Sequence, residues 1–312
     1  MIRPWPISIT ALLLLGACTS PLEYESDWLD SPDVFDPSLN SPGFTLSTRA
    51  GMTAADRARP VIISVHGYTA STFEWQEFRE YAESTSDVLV SLVLLGGHGR
   101  SVEDDFAPST WRQWGQPILD EYAALVAQGY TRISIAGSST GGTLILEQLA
   151  TGQFPVMAPP RHVFFIDPIV VPGNKTLTLV PFLRIFVSNT TTDGTDEERR
   201  HWYSNRPTAT LEELYALARR VRTQLADGVR LPAGTLASVY KSSRDQSVDP
   251  VSALLIYRGL RTADEQRVDV QMFDSGLHVF TRLRGRAPED VTDGDRQRQR
   301  QVFEELIRKA RD

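Results

Sequence analysis

The pentapeptide Gly137-Ser138-Ser139-Thr140-Gly141 holds the plainest capacity for chemistry in this chain. It follows a short β-type run at 132–136 and leads into 140–150, which reads as a helix. A strand–turn–helix of this kind presents its central serine as a nucleophile. Ser139 must stand on a turn so tight that side chains two residues away on either side would collide, which is why Gly137 and Gly141 have none. The helix behind it turns free N–H groups and the positive end of its dipole toward the same point. Of the two adjacent serines, only Ser139 has glycine at both of these positions. A serine hydroxyl is a poor nucleophile at its own pKa, so a neutral imidazole must take its proton. The chain offers five histidines for this: His66, His98, His162, His201 and His278.

A second turn with chemical potential, His66-Gly67-Tyr68-Thr69, comes directly after the apolar run 60–65. An oxyanion needs two backbone N–H groups aimed at one point, and Gly67 lets the chain turn there with no side chain in the way. Gly96-Gly97-His98-Gly99 follows another apolar run, 88–95. Three aspartates at strand ends compete to orient an imidazole. Asp245 follows the run 235–240, Asp167 ends the run 163–166, and Asp249 stands where it would cap a helix beginning at Pro250. His278 lies on a glycine-containing loop after the run 267–273, whereas His201 sits in the charged stretch Glu197-Glu198-Arg199-Arg200-His201, which reads as a solvated helix face.

These turns need a scaffold, and the alternation of apolar runs with helical patterns supplies one. Helices are expected at 72–83, at 117–128 with Ile118, Tyr122 and Leu125 on one face, and at 293–311 with Val302, Phe303, Leu306 and Ile307 at helical spacing. Strands alternating with helices predict an α/β fold, a mostly parallel sheet with helices on both faces. The chain has 312 residues, long enough to bury a sizeable core. Its net charge of −7 argues against nucleic acid as a partner. With Cys18 as its one cysteine, it can form neither an internal disulfide nor a cysteine metal site.

Residues 1–17 read as a secretory signal: Arg3 at the start, then an apolar run from Ile7 to Leu15 that is far short of a membrane span of about 20 residues. Leu15-Gly16-Ala17-Cys18 resembles the lipobox of bacterial lipoproteins, which implies acylation of Cys18 and a place in the bacterial cell envelope, at the outer membrane or the periplasmic face. Residues 18–57 then form the lipidated N-terminus and tether, rich in Ser, Pro and Asp and expected to be extended and solvated, with Tyr24, Trp28 and Phe35 able to dock on the domain. Residues 58–312 form the main domain. Between its strands, about 168–232 is too long for a simple connection. Thr210-Leu211-Glu212-Glu213 reads there as a capping box, followed by Leu214, Leu217, Val221 and Leu225 on one helix face. This insertion is expected to be a helical cap over Ser139, its apolar face either walling an acyl group or packing the cap down.

The turns at 66–69, 97–99 and 137–141, in that order and spacing, resemble the α/β-hydrolase fold, and most nearly bacterial carboxylesterases and monoacylglycerol lipases. The resemblance covers about 58–150 and 235–312. It implies a triad in the order serine, acid, histidine, which excludes His66 and His98 and favours Ser139, Asp245 and His278. It also implies the amides of Tyr68 and Thr140 as the oxyanion donors, with His66 supporting its loop. Ser242 departs from the glycine this family often carries three residues before the acid. The expected activity is hydrolysis of a small-molecule or lipid carboxylic ester through an acyl-enzyme, by a monomer with no cofactor or metal. Amide hydrolysis, acyl transfer and a non-catalytic surface lipoprotein are the other readings.

Overall fold

Four strands of the sheet are short segments buried on both faces, the mark of strands covered on each side. A computed structural model describes residues 25–35, 43–173 and 189–312. Its central sheet contains β1 (Val61–Val65), β2 (Leu89–Val93), β3 (Ile133–Ser138), β4 (His162–Ile166), β5 (Leu236–Ser242) and β6 (Asp269–Phe273). The order across the sheet is β6-β5-β4-β3-β1-β2, and every neighbouring pair is parallel. Alternate strand residues feed two apolar layers. Val61, Ile63 and Val65 join one, with Ile135 and Val239; Ile62 joins the other, with Val90, Ala136 and Phe164.

The first layer is closed by α2 (Trp111–Ala127), α3 (Thr140–Ala150), α5 (Thr208–Asp227) and α6 (Val251–Gly259), the second by α1 (Gln76–Thr85) and α7 (Asp293–Arg311). A further helix, α4 (Asp196–His201), lies in the insertion. The helix expected from 72 is a 3₁₀ turn, Thr72–Trp75, running into α1. The helix expected from 117 begins six residues earlier than that, because Thr110 and Gln113 form a reciprocal capping box; Pro117 is interior to it.

The insertion corrects one expectation and decides between two others. Thr210 and Glu213 form no capping box, since α5 already starts at Thr208. The Thr210 hydroxyl donates to the Pro207 carbonyl at 2.8 Å, and the Glu213 carboxylate accepts from the Trp111 N–H at 3.0 Å, at the start of α2. The stripe Leu214, Leu217, Val221 and Leu225 enters the first core layer beside Leu144 and Leu149 of α3. The apolar helix is therefore part of the domain's core. The apolar stretch 177–187 lies outside the described residues.

Cys18 and Tyr24 also lie outside them, and no helix of the described residues is long and apolar enough to cross a membrane. The stretch expected to be extended and solvated is folded into turns at 25–35, with Leu29, Asp30 and Ser31 buried. Trp28 lies under the Arg199 guanidinium at 4.7 Å, while Phe35 is exposed. The anchor is Asp30, whose carboxylate accepts from the Ser204 N–H (2.7 Å), the Asn205 N–H (2.9 Å) and the Asn205 side-chain amide (2.9 Å). Asp30→Ala would leave these donors unpaired in a buried place, so it is expected to cost about 1–3 kcal/mol, read by chemical denaturation. An unchanged denaturation midpoint would show that this docking adds nothing to stability.

Candidate active site

Ser139 ends β3 and starts α3 at φ 48°, ψ −117°, a conformation costly for any side-chain-bearing residue. A Cβ at Gly137 would lie 2.5 Å from the Ile145 side chain and 2.6 Å from the Gly142 nitrogen; one at Gly141 would lie 2.5 Å from the His66 carbonyl oxygen. The glycine spacing is thus forced by the helix packing back on one side and by β1 on the other. Thr69, Asp167 and Val279 also have positive φ, and all three stand in loops around Ser139. Strain of this kind collects where a site is held in place by its surroundings.

The structure brings together three of the residues singled out from sequence. The Ser139 hydroxyl lies 2.9 Å from His278 Nε2, and His278 Nδ1 lies 2.8 Å from Asp245 Oδ2. A carboxylate can only accept, so Nδ1 carries the proton and donates it to Asp245, leaving Nε2 to accept from the serine hydroxyl. Ser139 is 7% exposed and Asp245 6%. Burial alone would push the Asp245 pKa up. The charge and hydrogen bonds of His278 and Lys241 outweigh it and hold the carboxyl well below its usual range.

Lys241 is the residue that sequence reading passed over. Its ammonium is fully buried and donates to Asp245 Oδ2 at 2.6 Å and to Asp167 Oδ1 at 2.9 Å. Asp167, a competing acid, therefore lies behind the lysine; it also accepts from the Ser242 N–H at 2.7 Å and takes no bond from His278. Asp249 accepts from the Val251 N–H at the start of α6, as a cap. Asp245 also accepts from the Ser247 and Val248 N–H groups on its other oxygen. Ser242, where glycine was expected, donates its hydroxyl to the Leu277 carbonyl at 2.7 Å and so ties the acid's strand to the histidine's loop. Ligand atoms of Asp167, Asp245 and His278 lie within 4.8 Å of one another. A cation bridging the two carboxylates would need the place the Lys241 ammonium holds, so this set does not fit a metal.

Gly67 brings its turn against the elbow; a Cβ there would lie 3.1 Å from Ser139 Cβ. The Gly67 N–H donates to Glu74 at 2.9 Å, and the same carboxylate takes the Ser138 hydroxyl, pinning the turn to the elbow. Glu74 had no signal in the sequence beyond a place in a helical stretch. The N–H groups of Tyr68 and Thr140 meet no acceptor among the described residues. His66 accepts from the Leu95 N–H at 3.0 Å, linking the ends of β1 and β2. Buried His98 packs among Phe106 and Trp114, with its pKa pushed far down by burial. His162 Nε2 meets the Ser238 hydroxyl at 2.9 Å. His201, expected on a solvated face, stacks on Phe73 at 3.7 Å because α4 docks there.

Residues 62–295, from β1 to the first turn of α7, match the model of the Alpha/beta hydrolase family. The chain belongs to that family. One of the metagenome-derived lipolytic enzymes LipS and LipT superposes with a TM-score of 0.63 at 19% identity, over 81% of this chain and 94% of its own. A monoacylglycerol lipase of Paleococcus ferrophilus gives 0.59 at 12% identity, over 81% and 96%. A soluble variant of monoglyceride lipase from Saccharomyces cerevisiae gives 0.60 at 10%, over 81% and 86%. At such identities the likeness is one of fold.

In this alpha/beta hydrolase a cleft of about 190 Å³ opens at Ser139 and His278. The insertion reaches it through 192–206, not through α5, and contributes Thr192, Trp202, Tyr203 and Arg206; Arg282 and Arg286 come from beyond His278. Of the two roles expected for the apolar face of α5, walling an acyl group or packing the insertion down, it takes the second. The core takes that helix's apolar stripe, and the described wall facing Ser139 is largely polar. Arg286 also donates to the His278 carbonyl, fixing the backbone that carries the imidazole.

Proposed function

We propose that this hydrolase cleaves carboxylic esters through a covalent acyl-enzyme. The observation that carries the reading is the unbroken line from the Ser139 hydroxyl through His278 to the ionised Asp245, at 2.9 Å and 2.8 Å. As an ester carbonyl approaches, Ser139 Oγ forms the C–O bond while its proton passes to His278 Nε2. The developing oxyanion accepts from the amides of Tyr68 and Thr140. Collapse expels the alcohol, which takes the proton from Nε2. Water then attacks the acyl carbon by the same route, releases the acid and returns the proton to Ser139. Asp245 keeps the imidazole in the tautomer the cycle needs. Hydrolysis of p-nitrophenyl butyrate, with one fluorophosphonate adduct per chain on Ser139, tests the reading; an inert ester would overturn it, and an intact Ser139 would remove its nucleophile.

We further propose that the chain is held at a bilayer by acyl groups on Cys18, so that the site works at a membrane surface of the bacterial cell envelope. The support is Leu15-Gly16-Ala17-Cys18 after an apolar run. Cys18→Ser is expected to move the protein from the membrane to the soluble fraction and to abolish radiolabelled palmitate incorporation. Retention of both would sink the proposal.

A further inference from the structure

We propose that the cleft beside Ser139 receives the negatively charged group of its substrate, a carboxylate or a phosphate, on the guanidinium of Arg206. This rests on the ester-hydrolase reading and narrows its substrates to short esters that carry an anion.

Arg206 stands on the short strand Asn205–Pro207 and lines the cleft with Ser139 and His278. It lines the same cleft as Tyr68 and lies close enough to the phenol for that group to act on its charge. The Arg206 Nε is sealed from solvent and has no hydrogen-bond acceptor among the described residues. No carboxylate among the described residues forms an ion pair with it, although its surroundings are dry enough to lower its pKa by burial. Guanidinium groups withdrawn from water ordinarily find an anion.

Three nearby acids are already engaged, and a fourth, Asp193, lines the cleft without an ion pair among the described residues. Glu198 accepts from Arg282 at 2.8 Å, and Glu74 holds Gly67 and Ser138. Asp30 holds Ser204 and Asn205, and Asp193 is exposed. The sequence 174–188 contains no Asp or Glu at all, only Lys175 and Arg184 among its ionisable groups.

A second cation reinforces the first. Arg286 lines the same cleft and donates to the carbonyls of His278, Val279 and Arg282, none of which carries charge. Burial, with Arg282 alongside, pushes its pKa down to about 10. The cleft lining therefore sets four arginines, Arg199, Arg206, Arg282 and Arg286, against three carboxylates, Glu74, Asp193 and Glu198, and neither Arg206 nor Arg286 is held in an ion pair among the described residues. A substrate oxyanion would supply the missing acceptors, and a planar guanidinium fork suits carboxylate and phosphate alike. The volume of about 190 Å³ favours short substrates.

The test compares kcat/KM for four short esters. Monoethyl succinate carries the charge on the acyl side, O-butanoylglycolate carries a carboxylate on the alcohol side, 2-(butanoyloxy)ethyl phosphate carries a phosphate there, and ethyl pentanoate is neutral. At least one anionic ester is expected to exceed the neutral one tenfold or more, and which one identifies the anion and its side. Arg206→Gln should reduce that ratio at least tenfold, mainly through KM, and Arg206→Lys should restore part of it. A neutral ester turned over as well as all three anions, or a ratio that Arg206→Gln leaves alone, overturns the proposal. Calorimetric titration of succinate and of inorganic phosphate into the wild-type protein gives a readout independent of turnover and of the variants' folding. Binding of either ion supports the site, and binding of neither counts against it. Charge-selective binding without turnover of any ester would leave the anion site standing and defeat the esterase reading. Turnover of ethyl pentanoate without charge preference would do the reverse.

Discussion

Ser139→Ala is expected to lower kcat on p-nitrophenyl butyrate by about 10⁴-fold or more, with little change in KM. The substitution removes the one atom that would bond to the acyl carbon and leaves the rest of the site intact. Among the described residues the Ser139 hydroxyl bonds only to His278, while its backbone N–H donates to the Ile166 carbonyl at 2.9 Å and would go on doing so in the variant. Alanine meets the same φ of 48° with no larger penalty than serine, so the melting temperature should be preserved. The amides of Tyr68 and Thr140 remain in place, so a residual rate above that in water is expected, with no acyl-enzyme behind it. Fluorophosphonate labelling should vanish in step with the activity. Retention of activity within tenfold would mean that another group attacks the ester, and the reading of the elbow would fall.

Ser139 was legible in the sequence because everything that makes it special is local. The clashes that exclude side chains at Gly137 and Gly141 arise between residues a few positions apart or on the neighbouring strand β1, so they leave a mark on one pentapeptide. Most of the strands were legible as apolar runs, for the same reason of locality, while β6 carries Asp269 and Gln271. His278 and Asp245 could be approached only through the resemblance, since nothing near them in the chain distinguishes Asp245 from Asp167. The difference lies in Lys241, whose ammonium stands between the two. The one available signal was a lysine, rare in this chain, near the end of a largely buried strand. Arg206 and Glu74 act through partners far off in sequence or through lacking one, and neither property has a pattern. The stripe on α5 left two roles open because an apolar helix face has the same spacing whether it roofs a cleft or fills a core. The missed start of α2 is different in kind, as Thr110 and Gln113 stood in the sequence at capping-box spacing.

Asp245→Asn is expected to lower kcat by about 10³–10⁴-fold, and the reason lies in the number of donors that converge on this carboxylate. Oδ1 accepts from Ser247 and Val248, and Oδ2 from Lys241 and His278. An amide can replace only one of these oxygens by nitrogen, and at either position its N–H₂ would face donors. If the nitrogen takes the Oδ2 side, the imidazole must turn to the other tautomer and Nε2 can no longer accept from Ser139. If it takes the Oδ1 side, two backbone N–H groups lose their acceptor and Lys241 keeps one carboxylate in place of two. Asp167→Asn makes the contrasting case. Asp167 binds Lys241 and Ser242 without touching the imidazole, so its loss should weaken the fold far more than it weakens kcat. Equal losses of kcat in the two variants would shift the acid's role toward Asp167. Stability against pH supplies an independent check. The native Asp245 carboxyl titrates well below the ordinary value of 3.8, so its stabilising contribution is complete above that value and is lost as pH falls toward the depressed native one. The stability gap between wild type and Asp245→Asn should therefore not narrow between neutral pH and about 5, and should narrow only below about 4. A gap that closed already between pH 7 and 5 would mean that this carboxyl is not held ionised by Lys241 and His278, and the tautomer they impose on the site would have no fixed charge behind it.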